Sequence, residues 1–250
     1  MTAILPILFL FVAWLYSMAG FGGGSTYIAL LAISGLPLIA VPVVALVCNL
    51  IVSTQGSVLL IRRGFAEPRI LKPLLYASMP CAFIGGAWRL PESAFIVLLA
   101  AALTLAGLAM FLQNCGSTKS IQAPHFGVLI GVGIALGFLA GMTGIGGGIY
   151  LAPVMHLFGW ARAQTIAACT SLFIALNSLA GLLGQLTKGW ELLESLPIVI
   201  IVACPIAVLI GGRVGSYLLT DKLPRSQIRF VTASVILLVA IRLWLKILFA

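Results

Sequence analysis

The stretch Met18-Ala-Gly-Phe-Gly-Gly-Gly24 decides how this chain is read, because it returns as Met142-Thr-Gly-Ile-Gly-Gly-Gly148. Each copy stands between two apolar segments, 3–19 and 25–36 around the first, 126–142 and 149–160 around the second. Glycine costs a helix interior about 1 kcal/mol against alanine. Gly22-Gly23-Gly24 and Gly146-Gly147-Gly148 therefore each read as the end of one helix and the start of another. A helix broken in apolar surroundings leaves backbone N–H and C=O groups unpaired, which a bilayer tolerates only inside protein or beside a wet cavity. Neither triplet is a nucleotide site: Gly-x-Gly-x-x-Gly fails at Ser25 and Ile149, and no Gly-Lys-Ser/Thr follows.

The repeat runs outward from these copies. Gly35 and Gly159 follow the two triplets at the same spacing. Asn49 and Gly56 then match Asn177 and Gly184 after a slip of about one helical turn, which keeps the helix face. Pro80 matches Pro205, Gly85-Gly86 matches Gly211-Gly212, and Leu90-Pro91-Glu92-Ser93 matches Leu223-Pro224-Arg225-Ser226. Two repeats, 1–118 and 119–250, are expected to build one transmembrane domain.

Composition agrees with a membrane chain. Of 250 residues, 62% are hydrophobic and 8% charged, whereas about a quarter of a soluble domain is charged. A crossing helix needs about 20 apolar residues. Runs at 3–19, 38–61, 73–89, 93–113, 126–142, 163–187, 195–219 and 226–249 are candidate spans, while 25–36 and 149–160 are too short. No Lys or Arg precedes the run at 3–19, so it lacks the charged start of a signal peptide and reads as a first membrane helix. The longest polar stretch is Asn114–His125, which leaves no room for a nucleotide-hydrolysing domain.

Charge placement sets the orientation. Arg62, Arg63, Arg69 and Lys72 follow the third element, and their counterparts are Lys188 against Glu191 and Glu194. Arg89 against Glu92 lies after the next element, where the second half carries Lys222, Arg225 and Arg229. The positive side swaps between copies, so by the positive-inside rule the halves are inverted. Inversion requires an odd number of elements per half. The expected fold is an all-α integral membrane protein of two inverted repeats. Each has about five helical elements, with a glycine-broken hairpin and about four full spans. Both termini then lie outside. The net charge of +9 is explained by this topology and not by nucleic acid.

Inverted repeats with interrupted helices are a recurrent build for secondary transporters, with the solute near the repeat interface. A helix starting after either triplet would aim free N–H groups and a positive dipole end at a solute, which favours an anion. Ser25 and Thr26 are expected to cap the first such helix and to donate to the ligand. Asn49, Ser53 and Gly56 share one face of the following helix, and Asn177, Gly181, Gly184 and Thr170 share the equivalent face. The asparagines serve either the broken backbone or the solute. Candidate binding residues are thus Gly22, Gly23, Gly24, Ser25, Thr26, Asn49, Gly146, Gly147, Gly148, Thr170 and Asn177, with Ser53 and Arg213 as outlying candidates. Gly133, Gly137 and Gly141 read as close helix packing.

All five acids (Glu67, Glu92, Glu191, Glu194, Asp221) fall in loops or at helix ends, so no intramembrane carboxylate is expected to carry a proton or hold a cation. The five cysteines follow no metal spacing, and neither metal nor cofactor is expected. An enzyme would need a placed acid, base or metal, which His125 and His156 alone do not supply. A transporter or facilitator of a small anion is the reading adopted. A gated anion channel and a non-transporting assembly or sensor subunit are the alternatives, and a homo-oligomer is open.

With its two glycine-rich copies and the asparagine in each following helix, the chain resembles the sulfite exporter TauE/SafE family over essentially its whole length. The resemblance implies transport of sulfur-containing anions, such as sulfite, sulfoacetate or other organosulfonates, across a prokaryotic cytoplasmic membrane. It also implies a solute path between the halves, near Gly22–Gly24, Gly146–Gly148, Asn49 and Asn177.

Overall fold

The computed structural model describes residues 4–112 apart from 19, 38, 89 and 90, then 124–189, 196–218 and scattered positions between 234 and 248. Nine helices are resolved among them: α1 (Leu5–Met18), α2 (Gly24–Ile33), α3 (Val41–Arg62), α4 (Pro68–Ala87), α5 (Glu92–Leu112), α6 (Phe126–Thr143), α7 (Gly148–Leu157), α8 (Ala163–Leu186) and α9 (Ile198–Leu218). The protein is an all-helical membrane protein, and α3, α4, α6, α8 and α9 are long and apolar enough to cross a bilayer. Most of the run at 226–249 lies outside the described residues. So do the linker at 113–123 and Arg89, Glu191, Glu194, Asp221, Lys222, Arg225 and Arg229.

Two boundaries differ from expectation. Helix α1 has 14 residues, about 21 Å of rise, and falls short of about 30 Å of hydrocarbon. Helix α4 starts at Pro68 and not near residue 73, because proline at the helix start gives up an N–H that would be unpaired there anyway. Arg69 and Lys72 therefore sit on the first turns of α4, exposed, and not in a loop.

Glycines set the packing distance between helices. A Cβ on Gly133 would lie 2.8 Å from the Leu74 carbonyl oxygen, and one on Gly137 or Gly141 would run into the Ser78 or Ala82 carbonyl. Helix α6 thus lies backbone to backbone on α4, the small-residue packing expected for this stripe. Helices α9 and α1 repeat the arrangement, with Gly211 against the Leu10 carbonyl as Gly85 is against that of Phe138. The main contacts come in exchanged sets: α1 on α9 and α6 on α4, α3 on α9 and α8 on α4, α2 on α3 and α7 on α8. Helices α3 and α8 pack on each other, are the most fully buried of the span-length helices, and carry most of the buried polar side chains.

Candidate functional site

Both glycine segments break the helix with left-handed glycines, Gly20 and Gly23 in the first and Gly144, Gly146 and Gly147 in the second. Helix α1 closes with Gly20 in the left-handed conformation (φ 76°), the Phe21 N–H donating to the Tyr16 carbonyl at 2.9 Å and the Gly20 N–H to that of Ser17 at 3.1 Å. That six-to-one and five-to-two pairing satisfies orphan carbonyls at a helix end. Gly23 (φ 87°) then precedes α2. In the second half Gly144 (φ 77°) ends α6 and Gly147 (φ 77°) precedes α7.

The two breaks meet at one place on the α3–α8 packing. A side chain on Gly22 would strike the Asn49 carboxamide oxygen and lie 3.1 Å from Ile174 Cγ2. One on Gly24 would strike Asn49 Nδ2 and lie 2.6 Å from the Ile145 carbonyl oxygen. One on Gly146 would lie 2.6 Å from Asn49 Nδ2 and 2.8 Å from Ser178 Oγ. One on Gly148 would strike Ile174 and lie 2.9 Å from Thr170 Cγ2. Gly22, Gly24, Gly146 and Gly148, drawn from both halves, therefore enclose Asn49 and Ile174. Gly23 and Gly147 face elsewhere, onto the Tyr27 ring at 3.0 Å and Phe173 Cε1 at 2.9 Å.

The asparagines do unlike work. Asn49 Nδ2 donates to the Ile145 carbonyl of the other half's break at 2.7 Å. Asn177 Nδ2 donates to the Phe173 carbonyl of its own helix at 2.9 Å. Both side chains are fully buried, and neither carboxamide oxygen has a partner. The hydroxyls of Ser25, Thr170 and Ser178 are likewise buried without one.

One expectation needs correcting. Neither Ser25 nor Thr26 caps α2, because the cap position falls at Gly23 and both lie inside the first turn. Thr26 Oγ1 instead pairs with the Tyr16 hydroxyl at 2.6 Å. Ser53 donates to the Asn49 carbonyl at 2.5 Å, and its own carbonyl accepts from Ser171 at 3.2 Å, so it ties α3 to α8. Gly181 and Gly184 pack on Gly141 and the Phe83 carbonyl. Arg213 is exposed on α9 beside Val214 and Tyr217.

Ile174 and Ser178 escaped the sequence reading. Thr170, Ile174 and Ser178 lie four apart on one face of α8, but an isoleucine carries no chemical signal and the serine was overshadowed by Asn177. Among the residues whose side chains are described, which do not include His156 and Glu92, no Lys, Arg, His, Asp or Glu is buried, and no group of His, Cys, Asp or Glu could hold a metal ion. The only described acids, Glu67 and Glu92, stand at the starts of α4 and α5.

This break-and-crossing geometry lies within residues 5–243, the span matched by the family model for the sulfite exporter TauE/SafE. The chain belongs to the sulfite exporter TauE/SafE family. It is 33% identical over 241 residues to the "Probable membrane transporter protein y4hK" of Sinorhizobium fredii, covering 94% of this chain and 95% of that one. A second similar protein, a "probable membrane transporter protein" from Methanocaldococcus jannaschii, is 29% identical over 110 residues, 42% of this chain and 40% of that one. No solved structure matches significantly. As a member of the TauE/SafE family the chain is a multi-pass membrane transporter, set in lipid and handling a solute.

Proposed function

We propose that this TauE/SafE protein carries a small anion, a sulfur oxyanion or organosulfonate of the sulfite or sulfoacetate kind, across a prokaryotic cytoplasmic membrane. The solute site is the meeting point of the two glycine breaks. One observation carries the reading: Gly22, Gly24, Gly146 and Gly148 converge from both halves on a buried place beside the unpartnered Ser178 hydroxyl, with no buried acid among the described side chains. Helices α2 and α7 begin there; the Gly23 carbonyl takes the N–H groups of Thr26 and Tyr27 and the Gly147 carbonyl those of Tyr150 and Leu151, which leaves the first two N–H groups of each helix without a partner in their own helix. Such helix starts, with the buried hydroxyl of Ser178 beside Gly146, offer donors to an anion, and no carboxylate among the described side chains stands there to balance a cation.

The halves, 1–118 and 119–250, are inverted repeats on this reading. The exchanged packing sets support the pairing, and the swapped basic loops support the inversion, with both termini outside. Asn49 holds the second break closed across the interface, so a movement of one half against the other has to stretch or break that bond. The protein spends no ATP of its own and moves the anion by facilitated diffusion or with a proton on the solute.

The test is flux in liposomes containing the purified protein. Sulfite or a sulfonate should enter faster than in protein-free liposomes, and Gly146→Ala should remove the difference, because at its left-handed φ of 81° the Cβ would lie 2.6 Å from Asn49 Nδ2 and 2.8 Å from Ser178 Oγ and would push both side chains aside. Flux of cations in place of anions, or of no solute at all, would sink the proposal.

A further inference from the structure

Asn49 brings an acceptor to the place where the two breaks meet, beside the Ser178 hydroxyl. Its Nδ2 is committed to the Ile145 carbonyl at 2.7 Å, which fixes the carboxamide's orientation, since turning it over would set two carbonyl oxygens against each other. Its Oδ1 then faces Gly22 and has no partner, on a side chain with 0% exposure. A carboxamide oxygen can only accept. Buried and unpaired it is costly, and it is satisfied only by a group that brings a hydrogen. Asn177 Oδ1, on the equivalent helix, is a second buried acceptor in the same condition.

We infer that the solute bound between the glycine breaks carries a hydrogen-bond donor of its own, an O–H or N–H, which it gives to the Asn49 carboxamide oxygen. This rests on the anion reading above and narrows it. A fully ionised oxyanion has acceptors only, so it meets the Asn49 oxygen with like partial charge, and no buried cation among the described residues offsets that. A singly charged oxyanion that keeps a proton, or a sulfonate with a hydroxyl group, matches both halves of the site. Its oxygens accept from the Ser178 hydroxyl and the free N–H groups at the helix starts, and its hydrogen goes to Asn49. A site built to bond a ligand hydrogen rejects the analogue lacking it, because its own polar group is then left unpaired.

The test compares isethionate with 1-propanesulfonate, which share charge and nearly share shape but differ by a hydroxyl against a methyl. Purified protein is titrated with each while thermal unfolding is followed, and flux of each is measured in proteoliposomes. Isethionate should stabilise and be carried at concentrations about tenfold lower or more. Sulfite at fixed total concentration should be carried faster as falling pH converts it to hydrogen sulfite. Equal behaviour of the two sulfonates, or faster sulfite flux in alkaline buffer, overturns the inference and leaves the anion reading standing. If no anion stabilises or moves, both fall together. In Asn49→Ala the preference for isethionate should vanish, and a preference that survives overturns the assignment to that oxygen. The comparison in the unaltered protein needs no variant to fold.

Discussion

The unequal hydrogen bonds of Asn49 and Asn177 make a stability prediction that sequence equivalence would not. Both side chains are fully buried and both carboxamide oxygens are unpartnered, so truncation to alanine removes comparable volume and leaves comparable space. What differs is the carbonyl left behind. The Ile145 carbonyl belongs to the broken backbone between α6 and α7 and accepts from Asn49 Nδ2. Without Asn49 it is a buried acceptor with nothing in its place, a loss of about 1–3 kcal/mol. The Phe173 carbonyl lies inside α8 and keeps the backbone N–H four residues on, so removing Asn177 Nδ2 takes away only an extra bond. Side-chain hydrogen bonds of that kind in membrane proteins average about 0.6 kcal/mol.

Asn49→Ala should therefore unfold at a lower temperature than Asn177→Ala. With about 2–4 °C per kcal/mol for a chain of this size, the gap should be a few degrees. Cys48, Cys169 and Cys204 are buried free thiols, so a thiol-reactive dye reports unfolding of both variants in detergent. Equal melting temperatures, or a lower one for Asn177→Ala, would refute the argument that the cross-half bond fixes the second break.

Two further outcomes separate packing from conformation. Gly137→Ala on α6 should lower the melting temperature, because its Cβ would lie 2.6 Å from Ser78 Cα and force α6 off α4 at a cost of about 1–3 kcal/mol. Gly131→Ala on the same helix meets nothing within 4 Å and should leave stability unchanged or raised by up to about 1 kcal/mol. Gly147→Ala should impair folding and flux more than Gly35→Ala. Both positions have positive φ, 77° and 80°, but only Gly147 also lacks room, with Phe173 Cε1 at 2.9 Å and nothing near Gly35. Thermal unfolding together with liposome flux checks each pair.

What the sequence made legible follows from which forces are local. Helix ends at the glycine segments were readable because three glycines in apolar sequence have few other uses, and α2 begins at Gly24 as α7 begins at Gly148. The packing role of Gly133, Gly137 and Gly141 was readable from their four-residue spacing on α6. Which residues the breaks enclose was not, because that depends on how α3 crosses α8. Ile174 became central by position alone, and Ser53 and Gly184 became packing residues through neighbours on other helices. The asparagines marked the region from sequence, yet no pattern in their flanking residues announced that Asn49 reaches across to Ile145 while Asn177 turns back on its own helix.

Under the proposed function, a site without buried cations suits a carrier. A buried arginine paired with an anion would make departure as difficult as arrival is favourable, whereas conduction needs binding weak enough to release. Arg213, the charged candidate within a long helix, stands exposed on α9. The charge offered to the solute comes instead from backbone. Helix starts carry roughly +0.5 of an elementary charge each, and α2 and α7 both start where the glycine segments converge. Together they supply about one positive charge, spread over N–H groups that need no counter-ion and take no proton. That balance matches a singly charged anion and falls short for a doubly charged one, in agreement with the acceptor that Asn49 presents from the other side.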